Sequence, residues 1–302
     1  MTTARRATLI GGNGYVGQHL LARLRRDGWA CWVPQRDDLT LMNRDLGHIF
    51  YCAGLTADYA ERPFETVEAH TSLLNQVLRE ATFSSLVYLS STRLYDSLGG
   101  SLNSADLTQA VTENALLTLD PNNPRHLYDL SKAMGESLCR VAAKGRARVA
   151  RLSCVWGGEN QDGSSPKNVI TSASEGFLPE LIRGVLAACK QQPKQPKLQV
   201  HSSPHFARDY VHIDDVLDAL IALSDQPDFG IFNVAGGRNI TNSELFQCVH
   251  EASGCKVIAT SDRVAPVLPR ISIQRMAQTF GWAPTDALQR LGLQFKSDLA
   301  HV

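Results

Sequence analysis

Tyr128 and Lys132 form the residue pair in this chain whose types and spacing could do chemistry. Four positions apart in a stretch with helical spacing of apolar residues, their side chains share one helix face. An ammonium near a phenol favours the phenolate and lowers the tyrosine pKa. Such a tyrosine exchanges a proton with a substrate hydroxyl while hydride moves at the same carbon. The alternative interpretation is an ordinary exposed pair, since this spacing is common in helices.

Ser91 adds a hydroxyl at the end of a predicted buried strand. The run Ser84–Leu89 is apolar enough for that strand, and Ser91 follows at its carboxyl end. In open α/β sheets ligands bind at this edge. We expect Ser91 to hold a carbinol or carbonyl oxygen in line. Because these parts are mutually consistent, the sequence predicts Ser91, Tyr128 and Lys132 as catalytic residues.

The element that must position these residues begins with three glycines at the amino end. Gly11, Gly14 and Gly17 follow the apolar run Ala7–Ile10 with the spacing G-x-x-G-x-x-G. A structural loop is the alternative, but the order of strand, glycines, helix and strand favours a dinucleotide site with its pyrophosphate at the helix N-terminus. The predicted cofactor contacts on this turn are Gly11, Asn13, Gly14, Tyr15, Val16 and Gly17.

The residues at the end of the second predicted strand indicate which dinucleotide, NAD or NADP, the site prefers. NAD sites usually place a carboxylate there, roughly 20 residues after the glycines, whereas this chain has Gln35 followed by Arg36. A guanidinium pairs with a 2′-phosphate, which favours NADP. Because Asp37 and Asp38 are close by, NAD is the alternative cofactor. Arg36 is alternatively interpreted as a solvated loop residue that contacts no ligand. We expect Arg36, Asp38 and Leu39 to contact the cofactor.

A small-residue turn follows the third predicted strand. Cys52, Ala53 and Gly54 come after His48–Tyr51 and leave room for the dinucleotide at the same edge. Tyr128 and Lys132 are also expected to contact the cofactor. Few residues separate Leu39 from His48, so one strand-helix unit of the usual winding is predicted to be shortened or lost.

Composition narrows the class of protein. The chain has 302 residues, 43% of them hydrophobic, and a formal charge of zero, which argues against a nucleic-acid partner. No segment has the apolar length of a membrane span, and the amino end shows no signal-peptide pattern, so a cytoplasmic protein is expected. Seven cysteines without a C-x-x-C pair predict neither a zinc site nor a disulfide framework. Cys31, Cys52, Cys139 and Cys154 are interpreted as buried thiols.

The predicted fold is α/β, a doubly wound parallel sheet with a smaller C-terminal lobe. Residues 1–157 form the dinucleotide-binding domain. Residues 158–302 form mainly a substrate-binding lobe, with segments at about 200–236 returning to the main sheet. His70 is expected to be a packed helix residue, and Asp214 and Asp215 to start a helix.

With these motifs in place, the chain resembles the extended short-chain dehydrogenase/reductase family, in particular its NAD(P)-dependent epimerase/dehydratase group. The resemblance rests on Gly11–Gly17, Tyr88–Tyr95, Tyr128-x-x-x-Lys132 and Arg208–Val216. It implies a nucleotide-sugar substrate, Ser91 as the catalytic hydroxyl and Arg208 at the substrate's diphosphate. The run beginning at Arg36 looks like that of NADP-dependent GDP-fucose synthases. Because members of this family often pair through a helix bundle, the resemblance also implies a possible homodimer.

Two departures from the family pattern refine the expected reaction. The dehydratases follow the catalytic hydroxyl residue with Asp-Glu, whereas Thr92 and Arg93 follow Ser91, so dehydration is not expected. Epimerisation by transient oxidation and hydride return is the first expectation, and NADPH-dependent reduction of a keto-sugar is the alternative. A non-catalytic dinucleotide sensor is a third. Cys154 replaces the usual phosphate-binding Asn; the expected substrate contacts are Thr92, Arg93, Cys154 and Arg208.

Overall fold

The computed structural model describes residues 4–36, 38, 40–56, 58–101, 110–158, 176–227, 229–261, 263 and 267–300, with backbone alone at 99–101. The strands are β1 (Arg6–Ile10), β2 (Ala30–Trp32), β3 (His48–Tyr51), β4 (Ser85–Ser91), β5 (Ala147–Leu152), β6 (Cys154–Trp156), β7 (Lys197–Val200), β8 (Ala207–His212), β9 (Gly230–Val234), β10 (Asn239–Thr241) and β11 (Lys256–Ala259). The helices are α1 (Tyr15–Arg26), α2 (Pro63–Val67), α3 (Leu73–Glu80), α4 (His126–Ala142), α5 (Phe177–Gln191), α6 (Ile213–Ser224), α7 (Asn242–Ser253), α8 (Gln274–Phe280) and α9 (Ala287–Leu299).

Six strands form a parallel sheet in the order β2-β1-β3-β4-β5-β9. Their carboxyl ends meet at one edge, where ligands bind in sheets of this kind. The predicted doubly wound parallel sheet is therefore confirmed. A 3₁₀ turn, Leu41–Asn43, connects β2 with β3, and within the described residues no strand lies outside β2. This agrees with the predicted loss of one strand-helix unit.

Two helical layers cover the sheet. Helices α1, α6 and α8 bury Leu20, Leu217 and Met276 on one face. Helices α3 and α4 bury Leu74 and Cys139 on the other. The inner strands β3, β4 and β5 are therefore covered on both faces, as expected for a parallel sheet between helical layers.

The helix predicted between Pro63 and Ala81 is interrupted. Helix α2 ends at Val67, a π-helical turn spans Glu68–Ser72, and α3 continues the chain. π-Turns are frequently found at functional sites. The turn places His70 fully inside the protein, as expected for a packed residue, while Phe64 and Val67 on α2 are exposed.

The chain leaves the main sheet after β5 and builds a second lobe. Strands β10, β8 and β6 form one small sheet, and β11 and β7 pair in another. Helices α5, α7 and α9 surround their common core, in which Trp156, Leu181 and Phe295 are buried. Because only Ser153 separates β5 from β6, the two lobes are in close contact at this point.

Some expectations about single residues and segments can now be compared with the structure. Within the described ranges, no helix is both long enough and apolar enough to cross a bilayer. All seven cysteines are free thiols. The prediction that Cys154 is buried is wrong, because its position on the short strand β6 leaves it exposed.

Candidate active site

The glycine turn between β1 and α1 has the geometry that a dinucleotide requires. Gly11 has φ +80°, and a Cβ there would lie 2.5 Å from the backbone nitrogen of Ala53. A Cβ on Gly17 would lie 2.6 Å from the Gly11 carbonyl oxygen. Helix α1 begins after Gly14 with no side-chain cap and no acidic residue in its first turn. Its uncapped N–H groups therefore fit a negatively charged pyrophosphate.

The turn after β3 brings Gly54 against Lys132. A Cβ on Gly54 would lie 3.1 Å from Lys132 Nζ and 2.9 Å from His70 Nε2. Lys132 Nζ donates a hydrogen bond to the Leu89 carbonyl at 2.8 Å. Burial lowers the pKa of Lys132 to about 7, while the nearby Glu136 opposes this shift. The structure thus places Lys132 beside the Cys52–Gly54 turn that was predicted to face the cofactor.

Ser91 and Tyr128 meet at the adjacent strand end. Burial raises the pKa of Tyr128 to about 12, while its hydrogen bond with Ser91 and the Arg93 charge act in the opposite direction. The Arg93 N–H donates to Ser91 Oγ at 3.1 Å and orients that hydroxyl. The residue spacing predicts that Lys132 lowers the pKa of the phenol, and in the structure the Arg93 charge acts in the same direction.

The Arg93 guanidinium lies between two tyrosine rings. Its Cζ is 4.6 Å from the Tyr59 ring centroid and 4.7 Å from that of Tyr128. Nη2 donates to the Tyr59 hydroxyl at 3.0 Å and to the Arg125 carbonyl at 3.1 Å. Nε is 3.5 Å from a carboxylate oxygen of Asp129, which is buried. Sequence reasoning missed Tyr59, Arg125 and Asp129.

His70 supports the helix that carries Tyr128. The Leu55 N–H donates to His70 Nε2 at 3.2 Å, so the ring proton is on Nδ1, which donates to Ser131 Oγ at 2.8 Å. The Ser131 hydroxyl in turn donates to the Tyr128 carbonyl at 2.9 Å. Burial lowers the pKa of His70 to about 2, which keeps the ring neutral. The His70 and Tyr128 rings also make an edge contact at 5.3 Å.

A cleft of about 460 Å³ opens between the two lobes in front of these residues. All four predicted substrate contacts line it together with two predicted catalytic residues, namely Thr92, Arg93, Cys154, Arg208, Ser91 and Tyr128. Arg208 Nη1 lies 3.6 Å from Asp96, a further cleft residue that the sequence analysis did not single out. Burial raises the pKa of Asp96, and the surrounding arginines oppose that shift.

Asp38 and Arg36, the two charged residues after β2 that were predicted to contact the cofactor, differ in their hydrogen bonds. Asp38 Oδ1 accepts hydrogen bonds from the Thr40 hydroxyl at 2.6 Å and the Thr40 N–H at 2.9 Å, which lower the pKa of Asp38. Arg36 is exposed, and no ion pair of it is found within the described residues. Leu39, the third predicted contact, lies outside the described residues, as does Asp37.

A buried network lies beneath the site. Arg151 contacts both oxygens of Glu136, at 2.9 and 2.6 Å, and donates to the Tyr95 hydroxyl at 2.6 Å. The Ser90 hydroxyl donates to Glu136 at 2.6 Å. Glu136 follows Lys132 by one helical turn, so this ion pair connects the sheet to the helix that carries the candidate catalytic residues. Sequence reasoning did not predict it.

Comparison with known proteins is consistent with this geometry. The chain is 25% identical over 238 residues to a putative GDP-L-fucose synthase 2 of Oryza sativa subsp. japonica, covering 78% of this chain and 64% of that protein. It is 22% identical over 342 residues to UDP-glucuronic acid decarboxylase 1 of Danio rerio, covering 98% and 74%. The chain spans less than two thirds of the length of the GDP-L-fucose synthases it matches.

Solved structures show the same fold. RMD from Pseudomonas aeruginosa complexed with NADPH has a TM-score of 0.71 and 24% identity, with 100% of both chains covered. MoeE5 in complex with UDP-glucose and NAD has a TM-score of 0.71 and 18% identity, with 98% of both chains covered. Both neighbours therefore share the fold of this chain over nearly its whole length.

The sheet, glycine turn and cleft define a Rossmann-fold protein of the extended short-chain dehydrogenase/reductase type. The sequence model of the NAD dependent epimerase/dehydratase family matches residues 7–235. This chain therefore belongs to that family, and the resemblance seen in its sequence motifs is confirmed.

Proposed function

We propose that the protein is an NAD(P)-dependent nucleotide-sugar epimerase that acts at a sugar carbinol carbon. The observation that carries this proposal is the proximity of Ser91 and Tyr128 in the lining of the cleft, with Lys132 one turn further along α4 on the side of the Gly54 turn. Ser91 holds the sugar oxygen, and Tyr128 takes its proton and later returns it. The turn Gly11–Gly17 would hold the dinucleotide, whose nicotinamide would supply the hydride acceptor and donor that epimerisation requires.

The residues of the cleft suit a substrate with a diphosphate. Arg208, Arg93 and Arg125 all line it, and they outnumber its carboxylates Asp96 and Asp209. Guanidinium groups bind phosphate oxygens through paired N–H donors. Relatives named for GDP-L-fucose and UDP-glucuronic acid support a nucleotide sugar. Thr92 and Cys154, which also line the cleft, would contact the sugar or its phosphate.

NADP is the proposed dinucleotide, with NAD as the alternative. The Asp38 carboxylate accepts two hydrogen bonds from Thr40 at Oδ1, while its second oxygen can still accept from a ribose 2′-hydroxyl, which keeps NAD as the alternative. The exposed Arg36 next to it is available for a 2′-phosphate. The same observation favours the second candidate function, an NADPH-dependent keto-sugar reductase.

One experiment tests the proposal and separates the two functions. The unfolding temperature of the purified protein is measured with NAD, NADP and a panel of UDP-, GDP- and dTDP-sugars, since a ligand that binds the native state raises it. We expect NADP and one nucleotide-sugar class to raise it. With that sugar, an epimerase gives no net change in reduced-nicotinamide absorbance, whereas a reductase consumes NADPH stoichiometrically. A panel in which no nucleotide sugar binds contradicts both functions.

A homodimer is proposed as the assembly. Helices α2 and α4 pack on each other, and Phe64, Val67, Met134 and Val141 are exposed on them. Exposed apolar patches of this kind mark interaction sites. Sedimentation of the wild-type chain should give twice the mass of the chain, and Phe64→Glu should shift it to the monomer. A wild-type monomer at micromolar concentration contradicts this assembly.

A further inference from the structure

Arg93 is the cation next to the Tyr128 ring, although Lys132 is the one that the sequence spacing suggested. The Arg93 guanidinium lies 4.7 Å from the Tyr128 ring centroid. Lys132 Nζ is instead bound to the Leu89 carbonyl at 2.8 Å and lies over the Tyr88 ring at 5.0 Å. The two cations of the site thus face different tyrosines.

The position of Arg93 is fixed by contacts on several sides. The Tyr59 hydroxyl and the Arg125 carbonyl accept from Nη2, and Asp129 lies 3.5 Å from Nε. The relative solvent exposure of the Arg93 side chain is 22%, so its guanidinium is largely shielded from water. A charge that is held still and partly desolvated acts on a neighbouring group more strongly than a mobile surface charge.

The groups whose rings contact that of Tyr128 do not supply a positive charge. His70 is neutral, and Tyr59 and Tyr88 are uncharged phenols. Asp129 carries the opposite charge and opposes ionisation of Tyr128. Ser91 carries no charge, and the Lys132 amine, bound to the Leu89 carbonyl, acts on Tyr128 from the other end of one helical turn in addition to Arg93.

We propose that Arg93 is a second electrostatic partner of Tyr128 beside Lys132, stabilising the phenolate that remains whenever the tyrosine gives its proton to a substrate oxygen. The inference rests on the proposed function, in which Tyr128 is the proton carrier. In this step the phenol O–H bond breaks, the proton forms a bond with the substrate oxygen, and the electron pair stays on Tyr128. Tyr59 and Asp129 are positioning residues that hold the guanidinium beside the ring.

The test is a direct titration of Tyr128 that needs no sugar substrate. The chain is labelled with a fluorinated tyrosine of intrinsically lower pKa, and the Tyr128 ¹⁹F resonance is assigned by its loss in Tyr128→Phe. We expect Arg93→Met to raise the Tyr128 titration midpoint by about one pH unit. Arg93→Lys should recover most of that shift. Arg125→Met, which removes an equal charge from the same cleft, should move the midpoint by much less.

Two outcomes would overturn the inference. In the first, the midpoint does not move in Arg93→Met, whose fold is checked by its unfolding temperature. In the second, Arg125→Met moves it as far as Arg93→Met does, which would indicate a general field of the cleft. Failure of the proposed function would look different. In that case no nucleotide sugar of the panel would bind, whereas the pKa of Tyr128 could still be measured by the ¹⁹F titration. With an active substrate, the limb of the pH–kcat profile that reports Tyr128 should move with the ¹⁹F midpoint, whereas a role in binding alone would raise KM.

Discussion

Tyr128 and Lys132 lie one turn apart on α4, yet the two side chains have different surroundings. Tyr128 faces the cleft, with Ser91 as its hydrogen-bond partner and Arg93 beside its ring. Lys132 faces the turn after β3, where a backbone carbonyl accepts from its amine and Glu136 is the nearby charge. The comparison shows that a shared helix face does not mean a shared environment, because residues from distant loops determine what each side chain meets.

The largest expected effect is on the Tyr128 side. Tyr128→Phe removes the hydroxyl and nothing else, so turnover of the nucleotide sugar found in the panel should fall by about 10²–10⁴-fold. Binding of NADP, measured by fluorescence titration, should change little. Activity within a few-fold of the wild type would show that another group moves the proton and would favour the sensor function.

The burial of Lys132 should be visible in the pH dependence of stability. Its pKa is lowered by burial to about 7, whereas an unfolded lysine titrates near 10.4. Between these values the unfolded state binds more protons, so the free energy of unfolding rises with pH, by on the order of a few kcal/mol. Denaturant unfolding without cofactor should show this rise in the wild type and in Lys190→Met, an exposed control. Lys132→Met should lack it, and an unchanged rise in that variant would contradict the burial of the amine.

Gly17 and Gly14, both in the predicted cofactor-binding turn, allow a tightly packed glycine to be compared with a less crowded one. A methyl on Gly17 would contact the Gly11 carbonyl at 2.6 Å, whereas one on Gly14 would contact it at 3.4 Å. Gly17→Ala should therefore destabilise the protein by about 1–3 kcal/mol, and Gly14→Ala by less than about 0.5 kcal/mol. Denaturant unfolding measures both. Equal effects would mean that close packing of α1 on the turn is not what requires Gly17.

The smallest expected effect concerns the choice of dinucleotide. Arg36→Asp replaces the exposed guanidinium with a carboxylate, which should weaken NADP binding about tenfold and leave NAD binding the same or tighter. Arg26→Asp, on the exposed side of α1, serves as the charge control. If both variants affect NADP equally, the effect comes from overall charge and not from a 2′-phosphate contact.

The sequence predicted the parts of the site that depend on local pattern. The glycine spacing, the apolar strands and the Tyr128-x-x-x-Lys132 spacing are short-range features, and the strand order follows from the parallel winding that they indicate. Arg93 was predicted as a substrate contact because it follows Ser91 at the strand end. Its position over the Tyr128 ring could not be predicted, since it depends on Tyr59 in a loop distant in sequence.

Other features were beyond sequence reasoning for a related reason. The π-turn at Glu68–Ser72 interrupts an apolar pattern that is typical of one continuous helix, and tertiary packing of His70 decides the outcome. The Arg151–Glu136 pair joins two charged residues whose sequence positions suggest exposed surfaces. Such buried polar contacts are specified by three-dimensional neighbours and leave no periodic signal.

The central claim, that Tyr128 carries the proton at the reacting sugar carbon, is tested most directly by a crystal structure with NADP and the nucleotide sugar from the panel. The distance to measure joins Tyr128 Oη to the nearest sugar hydroxyl oxygen. The account predicts hydrogen-bond reach, about 2.6–3.2 Å, with Ser91 contacting the same oxygen and the nicotinamide facing the carbon that carries it. A sugar bound in the cleft with no hydroxyl within reach of Tyr128, directly or through one water, would contradict it.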